Sequence, residues 1–192
     1  MSKFKGDAKI RAMCDSALLI ALGTLLAQIK LFRMPSGGSV TLCSMLPFII
    51  VAFRHGTFWG LIAGIANSLL QMALGGVYAP PAGTFIAFAG SVLLDYVLAY
   101  VCLGLSAEFS KPFEKKSKTL GVVMGTLICC LLRFICAFLS GFLIWGSIAD
   151  DGISAVIYSL TYNGGYMLPE TLITVAVTAV LAAKLPLIFR KQ

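Results

Sequence analysis

The chain has 192 residues, of which 59% are hydrophobic and 12% charged, and it carries a formal net charge of +7. Soluble domains hold about 25% charged residues, so this composition excludes an ordinary water-soluble globule. About six apolar segments of about 20 residues each use up the chain and leave no room for a soluble domain. Nor does the positive charge mark a nucleic-acid binder, which gathers Lys and Arg on one face or stripe; here the basic residues sit between apolar runs.

In chain order, a basic start with Lys3, Lys5, Lys9 and Arg11 leads into a first apolar run at residues 12–29. A signal peptide does not fit: Asp7 and Asp15 lie in the start, and no small-residue cleavage site precedes Lys30. Ala17 and Ala21, extended by Ala8 and Ala12, form a small-residue stripe that suits either packing within the chain or the docking of a partner helix. Residues 32–39 are a Gly- and Pro-rich connection to a second crossing at 40–53, after which Arg54 and a solvated His55 mark a turn. The third crossing, 58–74, contains Asn67 and Gln71. It ends in an uncharged, turn-forming stretch at 75–83.

The fourth crossing, 84–105, holds Asp95 and Tyr96, and residues 108–118 read as a charged, solvated loop. The fifth, 120–144, holds Arg133. A connection with Trp145, Asp150 and Asp151 follows. The sixth, 155–185, begins with Tyr158, Tyr162, Asn163 and Tyr166 and contains Gly164, Gly165 and Pro169, which should break or kink the helix. Broken backbone at membrane depth is tolerated only where protein buries it or a cavity borders it, so a polar cavity is expected at that level.

With the N-terminus inside, Lys3, Lys5, Lys9, Arg11, Arg54, Lys111, Lys115, Lys116, Lys118, Lys184, Arg190 and Lys191 face the cytoplasm. Only Lys30 and Arg33 lie outside. That bias sets the orientation. The expected fold is an all-α integral membrane protein with six transmembrane helices, a single membrane domain over residues 1–192 and both termini cytoplasmic, in a bacterial plasma membrane.

Ionisable residues inside spans are expensive and mark functional sites by default. Asp95, Arg133 and Glu170 are the set; a buried ion pair joining helices and a ligand contact both account for Arg133 and Glu170. The outer half is rich in aromatic residues: Tyr78, Phe85, Tyr96, Trp145, Tyr158, Tyr162 and Tyr166. Together with a carboxylate, such rings suit an organic cation, each desolvated cation–π contact contributing about 2 kcal/mol. Single rings also serve as interfacial anchors. The six cysteines form no CxxC and point to helix packing rather than to metal or redox chemistry. There is no P-loop, HExxH or GxSxG, so no enzyme mechanism and no cofactor is indicated, and an energised transporter would need its motor elsewhere. No internal repeat is seen, which disfavours an inverted-repeat carrier.

The Met-Pro-Ser-Gly-Gly-Ser-Val entry to the second crossing, Phe-Arg-His-Gly after it, Leu-Leu-Asp-Tyr-Val-Leu-Ala-Tyr in the fourth and Tyr-Ser-Leu-Thr-Tyr-Asn-Gly-Gly-Tyr-Met-Leu-Pro in the sixth resemble the thiamine-specific S-components of energy-coupling-factor (ECF) transporters. The resemblance runs over nearly the whole chain. It implies a membrane subunit that captures thiamine from outside, with the first outer loop as a lid, and delivers it with a transmembrane scaffold subunit and two cytoplasmic ATPases. By motif it implies that Asp95 faces the thiazolium or aminopyrimidine, that Tyr96 stacks or hydrogen-bonds, that Trp145 and Tyr158 are aromatic pocket positions, and that Asn163 is a ligand-bonding amide. Tyr78 and Phe85 complete the expected set, and Ala17 and Ala21 match the docking stripe. The chain departs from the family at Ala137, where a His is frequent, and in having Asp rather than Glu at position 95. Another vitamin or a thiamine precursor as ligand, and a non-transporting membrane scaffold, remain the alternatives.

Overall fold

The structure is a computed structural model and describes residues 2–35, 37–149 and 152–190, with the side chains of residues 2–8 outside that description. Asp150, Asp151 and Lys191 lie outside the described residues. Six main helices follow in chain order: α1 (Ser2–Gln28), α2 (Leu46–His55), α3 (Thr57–Gly75), α4 (Phe85–Glu114), α5 (Lys118–Leu143) and α6 (Ala155–Lys184). Strands β1 (Lys30–Arg33) and β2 (Ser39–Thr41) pair antiparallel between α1 and α2.

Residues from Lys9 in α1, and α3, α4, α5 and α6, are each long and apolar enough to cross a bilayer. Helix α2 is not. Its 10 residues rise only about 15 Å, half the hydrocarbon thickness. Residues 40–53, read from sequence as one crossing, therefore divide into strand, turn and short helix. Every residue from Leu46 to Phe53 is buried, so α2 is the apolar centre of the bundle and is shielded from lipid by its neighbours.

The periphery is apolar and the interior partly polar. Leu18, Leu25, Phe58, Phe85, Ile86, Leu172 and Val180 are exposed, while Asn67, Ser106, Thr126, Ser140, Thr174 and Thr178 are buried. Lipid supplies no hydrophobic push between helices, so contacts there favour small and hydrogen-bonding residues. Where α3 crosses α4, a Cβ on Gly104 would run into the backbone of Gly60 and Leu61; these two helices touch main chain to main chain.

Three local expectations are corrected. Helix α6 is continuous through Gly164, Gly165 and Pro169: its packing along α5 overrides the helix-interior cost of about 1 kcal/mol for Gly and about 3 for Pro. The irregular helix is α4 instead, π-helical over Val92–Leu98 and 3-10 over Cys102–Leu105. Within the widened stretch the Tyr96 carbonyl accepts a hydrogen bond of 2.8 Å from the Ser68 hydroxyl of α3. The charged 108–118 stretch is mostly helix rather than loop, because α4 runs on to Glu114, where the Ser110 hydroxyl donates to the Glu114 carboxylate at 2.5 Å. Ser117 then caps α5 by accepting from the Leu120 N–H. Finally, the His55 side chain is only 3% exposed, with Nε2 at 3.3 Å from Asp15, which also pairs with Arg54 at 3.1 Å. His55 is thus part of the α1–α2 joint and not a solvated turn residue.

Candidate functional site

At the end of the bundle that carries the β-hairpin lies a cavity of about 380 Å³, within the usual range for small-molecule sites. Each wall comes from a different element. The hairpin contributes Gly37, Gly38 and Thr41, α4 contributes Ser91, Asp95, Tyr96 and Tyr100, α5 contributes Arg133, Ala137 and Gly141, and α6 contributes Tyr158, Tyr162, Asn163 and Tyr166. Tyr78 and Trp145 enter from the connections.

Asp95 sits in the π-helical turn of α4. A π-turn inside an α-helix recurs at functional sites because it re-aims side chains. Its carboxylate accepts from the Ser91 hydroxyl at 2.9 Å and from the Ser140 hydroxyl of α5 at 2.5 Å. Those bonds hold the charge at a fixed place on the cavity wall. Tyr96 is tied in turn, its hydroxyl donating to the Gly76 carbonyl and accepting from the Tyr78 N–H, each at 3.4 Å.

The α6 wall is a ladder of rings, since positions 158, 162 and 166 recur every four residues on one helix face. Tyr158 and Tyr162 stack with centroids 5.5 Å apart, and Tyr162 meets Tyr166 edge-on at 6.4 Å. The Tyr162 hydroxyl donates to the Gly37 carbonyl at 2.9 Å. Gly38, at φ +78, sits so close to the Tyr166 ring that a Cβ there would overlap it. Asn163 is spent largely on packing: its Nδ2 donates to the Ser159 carbonyl at 3.0 Å, and its Oδ1 accepts from Tyr166 at 3.1 Å. Opposite it Gly141 has no side chain, which leaves room for Ser159 and Asn163.

Arg133 and Glu170, for which an ion pair and a ligand contact both stood open, have separate places. Neither Asp95 nor Glu170 comes within ion-pair distance of Arg133. Its guanidinium lies 4.5 Å from the centroid of Tyr100 and donates to the Tyr100 hydroxyl at 3.3 Å. Glu170 is 2% exposed and accepts from the Thr41 N–H and, at 2.5 Å, from the Thr41 hydroxyl, with Ser44 beside them at 3.5 Å. It fastens the hairpin's exit to α6 and lies behind the cavity wall.

Of the site residues expected from sequence, Asp95, Tyr96, Trp145, Tyr158, Asn163 and Tyr78 line the cavity. Phe85 does not: it is 83% exposed at the start of α4 and borders a separate shallow surface depression. A helix's first residue beyond its neighbours' reach has only lipid to meet. Ser91, Tyr100 and Ser140 escaped the sequence reading. Ser91 is one helical turn before Asp95, a spacing that signals it; Ser140 comes from another helix and leaves no local signal. Among the described residues no group of three His, Cys, Asp or Glu is placed to hold a metal.

Fold and site together define a multi-pass helical membrane protein built round one polar, aromatic-walled cavity. Residues 13–190 match the family described as thiamine transporter protein (Thia_YuaJ), and the chain belongs to that family. It is 33% identical over 189 residues to the thiamine transporter ThiT of Bacillus subtilis (strain 168), covering 94% of each chain. To the thiamine transporter ThiT of Lacticaseibacillus paracasei (strain ATCC 334) it is 28% identical over 152 residues, covering 76% of this chain and 74% of that one. The solved structure of ThiT from Listeria monocytogenes shares the fold, with a TM-score of 0.75 at 22% identity over 95% of this chain and 98% of that one.

Proposed function

We propose that this protein is the thiamine-binding S-component of an ECF-type importer, taking the vitamin from outside into the cavity beneath the β-hairpin. Membership of the thiamine transporter family supports the ligand. The observation that carries the reading is the Asp95 carboxylate, held by Ser91 and Ser140 on a cavity wall otherwise rich in rings. Thiamine is a permanent organic cation. A fixed carboxylate pairs with its charge, and Tyr78, Tyr96, Trp145, Tyr158 and Tyr162 offer faces that attract a cation. The hairpin acts as the lid, since Gly37, Gly38 and Thr41 border the cavity, with Gly37 and Thr41 hydrogen-bonded to α6 and Gly38 packed against the Tyr166 ring.

Delivery requires a separate transmembrane scaffold subunit and two cytoplasmic ATPases, because no phosphate-binding loop occurs in this chain. The scaffold docks on the face of α1 that carries Ala17 and Ala21. Both are exposed, whereas Ala12, Ser16, Gly23 and Ala27 on the other side of the helix are buried against the bundle.

The test is thiamine titration of the purified chain followed by tryptophan fluorescence. Of the two tryptophans, Trp145 lines the cavity and Trp59 packs against the central apolar cluster, so quenching should vanish in Trp145→Phe. Absence of any response at micromolar thiamine would refute the reading. Tighter binding of hydroxymethylpyrimidine, riboflavin or biotin than of thiamine would replace the ligand.

A further inference from the structure

We infer that Arg133 is a ligand-binding residue of this cavity, its guanidinium donating a hydrogen bond to a ring nitrogen at the neutral heteroaromatic end of the bound solute. The inference rests on the reading that the cavity takes thiamine, and it assigns which end of that molecule lies where.

Arg133 is half engaged. Stacking on Tyr100 at 4.5 Å and the Nη2 bond to the Tyr100 hydroxyl at 3.3 Å fix the plane of the guanidinium. Nη1 is buried and reaches no acceptor in the protein. A charged N–H left in that condition is costly, and the fold had two carboxylates with which to relieve it. Both are committed elsewhere: Asp95 to Ser91 and Ser140, and Glu170 to Thr41 and Ser44. The wall around Arg133 is also cleared. Ala137, one turn further along the same face of α5, lines the cavity with a single methyl group. The guanidinium is therefore the one long group α5 presents to the cavity before Trp145.

Charge decides the orientation. A fixed positive group repels a permanent cation, and at reduced dielectric that repulsion is strong at contact distances. The thiazolium ring, with its hydroxyethyl arm, accordingly lies at Asp95 and away from Arg133. The aminopyrimidine is the neutral end. Its ring nitrogens carry lone pairs that accept from Nη1, while its amino group is a donor and cannot. Arg133 thus rewards the correct orientation and penalises the reverse, which makes it a specificity-determining residue.

The experiment titrates the purified full chain, and its Arg133→Met and Arg133→Lys variants, with three ligands. These are thiamine, an analogue in which a phenyl ring carrying the same amino and methyl groups replaces the pyrimidine, and an analogue lacking the hydroxyl. The unsubstituted chain should bind the phenyl analogue about 10- to 100-fold more weakly than thiamine, the range of one charge-assisted bond. Arg133→Met should lose a similar factor for thiamine and for the deoxy analogue and none for the phenyl analogue, with Arg133→Lys between. Equal losses for all three ligands would reduce Arg133 to a support for Tyr100, and a loss that follows the hydroxyl would place the wrong end of the ligand here; either result overturns the inference. If Arg133→Met does not fold, the unsubstituted chain still decides, because equal affinity for thiamine and the phenyl analogue is incompatible with a bond to a ring nitrogen. Failure of the unsubstituted chain to bind thiamine removes the functional proposal and this inference together, whereas thiamine binding indifferent to the ring nitrogens removes this inference alone.

Discussion

Asp95 has two hydroxyl donors from two helices: Ser91 one turn back on α4 and Ser140 on α5. Replacing the carboxylate by the nearly isosteric amide in Asp95→Asn removes the charge and turns one acceptor into a donor facing those hydroxyls. Thiamine affinity should fall by about 1–3 kcal/mol, the range for a charge-assisted contact, measured by fluorescence titration at constant ionic strength; unchanged affinity would take Asp95 out of the site. Phe85→Ala is the matched control. That ring is 83% exposed and away from the cavity, so its removal should leave binding within about 0.5 kcal/mol, as for substitutions remote from a site. At this scale the sequence is informative where rarity is the signal. A carboxylate within an apolar segment stands out, and so does a run of tyrosines at a four-residue spacing. The partners that fix the carboxylate do not, because a serine inside a membrane helix is common and only the packing of α5 on α4 brings Ser140 within 2.5 Å.

Between α1 and α6 the linking element is the hairpin, whose strand β2 ends at Thr41, where main chain and hydroxyl both bind Glu170 across a separation of 129 residues. The turn that follows puts Cys43 at φ +58, a left-handed conformation that a side-chain-bearing residue holds only when its surroundings impose it. Glu170 supplies that restraint from the far side of the bundle. Glu170→Ala leaves the Thr41 N–H unpaired in a buried place, at about 1–3 kcal/mol, while the Thr41 hydroxyl keeps Ser44 as its partner. Hydrogen exchange should accelerate at residues 39–45 well before it does in the core of α5, and thiamine should dissociate faster as the lid loosens. Uniform acceleration over the whole chain would show that Glu170 holds the bundle and not the hairpin. Elements of this kind were hard to read from sequence. Residues 40–53 have the hydropathy of a crossing, and nothing local announces that α2 is buried on all sides and needs only half the length. The Gly-Gly pair and Pro169 signal a break that packing against α5 suppresses, while the irregular turn falls at Val92–Leu98, a stretch with no Gly or Pro at all.

For the molecule as a whole, the surface of α1 has two different tasks. One side packs on the bundle through Ala12, Ser16, Gly23 and Ala27, with Gly23 so near the Phe48 ring that a Cβ would overlap it. The other side is exposed, and there Ala17 and Ala21 leave a shallow strip flanked by Met13, Leu18 and Leu25. Lipid gains little from such a strip, but a second helix gains close contact. Leucine at both positions, Ala17→Leu with Ala21→Leu, enlarges the exposed face without entering the core or the cavity. Thiamine binding by the purified chain should therefore be unchanged within about 0.5 kcal/mol, and its melting temperature should hold. Uptake by cells that also contain the scaffold and ATPase subunits should fall by about tenfold or more, because the larger side chains hold the two helices apart and each loss of about 1.4 kcal/mol weakens association tenfold. The paired measurement separates the proposal from its rivals. Loss of binding and uptake together would mean that α1 supports the cavity itself. Uptake that persists, or that proceeds in vesicles holding this chain without any ATPase, would mean that the strip is not where energy enters and that the bundle moves its cargo on its own.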